Sequence, residues 1–104
     1  MKIFINIKLI VMAKKRNVKK DIEFITYEIL NDCFLSIDAH PERKKDEITK
    51  LISDTIAKRN ELIKRVNDRK IDKKETIKHF KAIYSDLMKS ADEGFKTLSN
   101  IIKD

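Results

Sequence analysis

Between Ile22 and Ile37, IEFITYEILNDCFLSI, ten of sixteen residues are apolar or aromatic, and neither glycine nor proline interrupts them. A run of this length and continuity reads as a central helix that the rest of the chain must help to bury. At helical spacing Ile22, Ile25, Ile29 and Cys33 share one face, Val18 extends it backwards, and Tyr27, Leu30, Phe34 and Ile37 widen it. Phe24 and Leu35 project on nearly the opposite side. Two readings stand for that pair: scattered exposed apolar residues, which are common on folded proteins, or a face that packs against a second copy of the protein.

The 104 residues suit one domain. With 39% charged and 41% hydrophobic residues, solvated helices are expected rather than a disordered polymer. One glycine (Gly94) and one proline (Pro41) argue against P-loops, dinucleotide-binding turns and tight hairpins, which need glycine where the backbone takes positive φ or approaches a phosphate. The single cysteine, Cys33, makes no internal disulfide, and its place on the apolar face predicts a buried, inert thiol in a cytoplasmic protein.

Taken in order, MKIFINIKLIV sets Ile3, Ile5, Ile7, Leu9 and Val11 at odd positions, which is strand periodicity without a strand partner. The run is too short to span a membrane, and a membrane-bound protein is not expected. The preferred reading starts translation at Met12; a weak membrane-surface anchor is the alternative. Asn17 suits a helix N-cap, and His40-Pro41 stops the first helix after Asp38. A second helix is predicted from Glu42 to Val66 and is broken by Asn67-Asp68. Asp72 and Glu75 form a capping-box pattern before a third helix, whose stripe is read as Ile77, Phe80, Tyr84, Leu87, Ala91, Phe95, Leu98 and Ile102. The expected fold is all-α: an up-down-up three-helix bundle over residues 17–104, with a disordered or loosely attached N-terminal arm over residues 1–16. Asn17 to Phe24 and the stretch Arg59-Asn60-x-Leu62-Ile63-x-Arg65-Val66-Asn67 resemble a family of small bacterial all-helical proteins of uncharacterised role. The resemblance implies an all-α fold and brings no function with it.

Catalytic chemistry finds no foothold. His40 belongs to a loop and His79 to the polar face of the third helix, neither near a nucleophile. Glu28 and Asp32 have the spacing of a di-metal helix but lack the Glu-x-x-His motifs such sites need from neighbouring helices. No catalytic triad, Cys-x-x-Cys or zinc-binding histidine pair occurs. The expectation is a non-enzymatic protein with no cofactor, no metal and no small-molecule substrate. Arg59 is unusual because it stands within the apolar stripe of the second helix, so it must either reach water or find a carboxylate, with Asp21 and Glu28 the candidate partners of a buried pair.

Charge is segregated along the chain. Residues 1–20 hold seven bases and no acid; residues 21–57 hold four bases and nine acids; residues 58–81 hold ten and four. An up-down-up order brings the first and third of these segments to one end. Lys14, Lys15, Arg16, Lys19 and Lys20 there join Arg65, Arg69, Lys70, Lys73 and Lys74 in a candidate polyanion-binding pole. Lys19, Lys20, Lys73 and Lys74 are expected at helix N-termini, where the helix dipole disfavours cations. With no aromatic residue interleaved, any contact with RNA or DNA is expected to be with the backbone rather than the bases. A self-associating interaction module working through Phe24 and Leu35 is the second expectation.

Overall fold

In a computed structural model, residues 2–39, 44–68 and 73–103 are described, with side chains at 15–39, 44–68 and 74–103. Helix α1 runs unbroken from Lys2 to Ala39, α2 from Lys45 to Val66, and α3 from Thr76 to Lys103 after a single 3-10 turn at Lys73–Glu75. Their order is up-down-up, and the molecule is a rod of 62 × 18 × 17 Å. At about 1.5 Å per residue, the 38 residues of α1 account for almost all of that length.

The N-terminal extension is therefore helical, not the strand that its odd-position alternation suggests. A lone strand leaves its N–H and C=O groups without partners, whereas a helix pairs them within itself, and nothing from Lys2 to Ala39 is a glycine or proline that would stop it. Asn17 is accordingly a mid-helix residue rather than a cap. Helix α2 starts at Lys45, later than Glu42, after Lys44 in a left-handed conformation at φ 57°. The stop expected at His40-Pro41 and the capping residue Asp72 lie outside the described residues.

Two clusters fill the interior. At the end where α1 enters the bundle, Val18 and Ile22 pack with Leu62 and Val66 of α2 and with Phe80, Ile83 and Leu87 of α3. At the other end Ile29 and Cys33 meet Ile48, Leu51, Ala91 and Leu98. Cys33 is fully buried, and burial, then the Asp32 charge, pushes its thiol pKa up, as suits an inert core residue. On α3 the stripe is rotated from its expected position: Ile83 and Gly94 belong to the interior, whereas Ile77, Phe95 and Ile102 stand at the exposed edge. Tyr27 and Phe34 of α1, expected at the margin of the core, are likewise exposed. Two neighbouring helices leave the outward side of α1 uncovered.

Gly94 lies buried on α3 against Ile29, and a methyl group built there would meet Ile29 Cδ1 and Cγ2 at 3.6 and 3.7 Å, which is ordinary contact. Glycine costs about 1 kcal/mol relative to alanine inside a helix. Gly94→Ala is therefore expected to stabilise the protein by about that amount and to raise the melting temperature by roughly 4–8 °C, read by circular dichroism. A lowered melting temperature would show that Ile29 cannot accommodate the methyl group.

Candidate functional site

The first cluster sets the geometry of the basic pole. Because Val18, Val66 and Phe80 belong to one core cluster, the residues just before Val18 and just after Val66 and the turn that opens α3 all lie at the same end of the three-helix bundle, from which α1 continues outward to Lys2. Lys15 and Lys19 are half-buried on the side of α1 that faces its neighbours, whereas Arg16 and Lys20 are exposed. Lys74 is exposed in the turn before α3, and Lys78, one helical turn later, adds a cation that the sequence reading omitted. Its four-residue spacing from Lys74 was the available signal. No ion pair among the described residues holds any of these six. Lys14 and Lys73 are placed by their backbone alone, and Arg69 and Lys70 lie outside the described residues.

Arg65 does not serve the pole. Its Nη1 donates to Asp86 Oδ2 at 2.6 Å, so the side chain reaches across to α3, and that hydrogen bond holds the Asp86 carboxyl below its ordinary range. The backbone carbonyl of Arg65 is also engaged: His79 Nε2 lies 2.6 Å from it and must be the donor, since a carbonyl only accepts. The last carbonyls of a helix lack intrahelical partners. His79, expected on the polar face of the third helix, thus caps α2 from α3. Asn67 N–H to Ile63 O (3.1 Å) and Asp68 N–H to Arg65 O (3.3 Å) complete that end.

Continuity of α1 also alters the electrostatic argument. Lys19 and Lys20 are far inside a helix that begins at Lys2, so no terminal dipole acts on them; only Lys73 and Lys74 stand at a helix start. What remains is convergence of cations at one end. Asp68, Glu75 and Asp21, the last bonded to Tyr84, are acids of that end with described side chains.

Arg59 finds a carboxylate, but neither of those expected. Its Nε donates to Glu23 Oε1 at 2.5 Å, its Nη2 reaches the same oxygen, and Nη1 donates to Asn60 Oδ1 at 2.9 Å. Asp21 lies on the opposite flank of α1, where its Oδ2 accepts a 2.5 Å hydrogen bond from Tyr84 of α3. Glu28 is exposed. Nor is the pair buried: the Arg59 and Glu23 side chains are 36% and 53% exposed, so the guanidinium passes its stem along the core and meets its partner in water.

Among the described residues no cluster of histidine, cysteine, aspartate or glutamate could hold a metal ion, and no helix is long and apolar enough to cross a membrane. The groove between α1 and α3, lined by Leu35, Ala39, Leu98 and Ile102 with Asp32 and Ser36, is shallow and open. In comparisons with family models, with curated proteins and with solved structures, nothing matches the chain.

Two measurements test these contacts. A solvent-facing pair is worth no more than about 1 kcal/mol, so Arg59→Met is expected to change unfolding free energy by less than that; a loss near 3 kcal/mol would mean the pair is closed off from water. Burial first, then the hydrogen bond and charge of Asp21, push the Tyr84 pKa up to about 12. The folded value lies above the unfolded one near 10, so this contribution to stability is complete below pH 10 and is lost as pH rises to about 12. In an alkaline absorbance titration of the native protein, Tyr84→Phe should remove the step near pH 12. A wild type without that late step would show that the hydrogen bond does not form.

Proposed function

We propose that the protein is a cytoplasmic, non-enzymatic binding module whose basic pole contacts nucleic-acid backbone, free or within a ribosome, without reading sequence. The observation that carries this is the convergence of Lys15, Arg16, Lys19 and Lys20 of α1 with Lys74 and Lys78 at the start of α3, on a body whose residues 21–104 balance seventeen bases against seventeen acids. A neutral body with one basic end supports a localised contact over a diffuse attraction. Lysine is a flexible point charge suited to phosphate, and no aromatic residue stands among these six for bases to stack on. Affinity then comes mainly from release of counterions condensed on the polyanion.

The test is binding of duplex DNA and of RNA across a salt series. The logarithm of affinity should fall linearly with the logarithm of salt, by about 0.7–0.9 per phosphate contacted, and change little with sequence. Substituting Lys15, Lys19, Lys74 and Lys78 by Gln should lower the affinity and reduce that slope by about 3, whereas Lys45, Lys50 and Lys103, toward the other end, should change neither when substituted. Equal losses from the two sets, or no binding near 50 mM salt, would overturn the reading.

A further inference from the structure

The outward face of α1 carries a second seam. Lys20, Phe24, Tyr27, Asn31, Phe34 and Asp38 follow one another at steps of four, three, four, three and four residues, the spacing of a coiled-coil stripe. All six are exposed, with Phe24 at 63%, Tyr27 at 73% and Phe34 at 53%, and Leu35 at 59% lies beside them. The buried stripe of Val18, Ile22, Ile29 and Cys33 is on the far side of the same helix.

The seam is also symmetric about residue 29. Reversing its direction carries Lys20 onto Asp38, Phe24 onto Phe34, and Tyr27 onto Asn31. We propose that α1 packs antiparallel against α1 of a second copy about a two-fold axis that crosses the seam at the level of residue 29, between Tyr27 and Asn31, burying this seam. Each Lys20 then faces Asp38 of the other copy, the phenylalanines pack on one another, and each central tyrosine meets an amide that can bond its hydroxyl. A two-fold axis makes every such contact twice. A parallel pairing is disfavoured by the same residues, since it sets Lys20 on Lys20 and Asp38 on Asp38. Aromatic and large aliphatic side chains of this exposure offer on the order of 450 Å² of apolar surface per copy, a little over half of the roughly 800 Å² per partner that a specific interface buries, the polar residues of the seam adding to it. The seam shares Lys20 with the basic pole but none of Lys15, Lys19, Lys74 and Lys78, and its Phe24, Phe34 and Asp38 lie outside that pole, so the proposal does not rest on nucleic-acid binding.

The oligomeric state of the full chain tests it, by sedimentation equilibrium with helical content checked by circular dichroism. The wild type should have about twice the 12.3 kDa chain mass. Phe24→Lys with Phe34→Lys should give the single-chain mass at unchanged helicity. Lys20→Asp alone, or Asp38→Lys alone, turns two attractive pairs into two repulsive ones and should weaken dimerisation about tenfold. The double exchange should restore it. A wild type that stays monomeric at millimolar concentration overturns the dimer. A dimer in which the single exchanges have no effect, or the double exchange no rescue, overturns the antiparallel register.

Discussion

The structure depends on one mismatch: α1 is apolar around more of its circumference than two neighbouring helices can cover. Its inner stripe, Val18, Ile22, Ile29 and Cys33, runs through both interior clusters, and α2 and α3 are shorter helices laid against it. Burial of that stripe is the favourable term that orders the bundle. The same packing leaves Phe24, Tyr27, Phe34 and Leu35 facing outward. No rotation of α1 about its axis hides both sets, because moving the outer residues inward would expose the isoleucines. The exposed face follows from the number of helices.

Apolar stripes fix which faces meet but leave helices free to slide, and here directional contacts at the rims set the register. Arg59 to Glu23 ties α2 to one flank of α1, Tyr84 to Asp21 ties α3 to the other, and Arg65 to Asp86 ties α2 to α3. Among the described residues each of the three helix pairs thus has one such contact between side chains. Pairs this open to water contribute little net free energy, so their effect is on alignment. His79 acts differently, since its ring donates to the Arg65 carbonyl at the end of α2, which otherwise accepts the Asp68 N–H from just past the helix.

Features that depend on local pattern were readable from the sequence, and those that depend on register were not. The long apolar run, the break at Asn67 and the presence of a third amphipathic helix are consequences of nearest neighbours, and the bundle follows from them. The partner of Arg59 was not readable, because Glu23 and Asp21 are two residues apart and only the rotation of α1 puts one beside α2 and the other beside α3. On α3, a heptad series through Tyr84 and Phe95 and one through Ile83 and Gly94 fit the same chain, and contact with Ile29 favours the second. The N-terminal alternation misled for a related reason: a segment rich in apolar residues satisfies period two and a helix period at once. Backbone hydrogen bonding then decides for the helix, which needs no partner.

The charge pattern runs against the grain of this fold. Helix α2 is charged as its dipole prefers, with Asp46 and Glu47 in its first turn and Lys64 and Arg65 in its last. Helix α1 has no acid in its first turn and no base in its last, and its seven bases precede all of its acids. An antiparallel α1 and α2 bring the bases of Lys14 to Lys20 and those closing α2 to the same end of the three-helix bundle, so two like charge excesses meet. Arg65 escapes by reaching up to Asp86, but Lys15, Arg16, Lys19, Lys20, Lys74 and Lys78 have no such partner among the described residues. Their mutual repulsion is a term that folding leaves in place, reaching farthest at low salt, where charges interact over about 30 Å. A polyanion seated on this end would relieve that repulsion as well as make new contacts, so the binding proposed above would draw on an electrostatic cost already present in the protein alone.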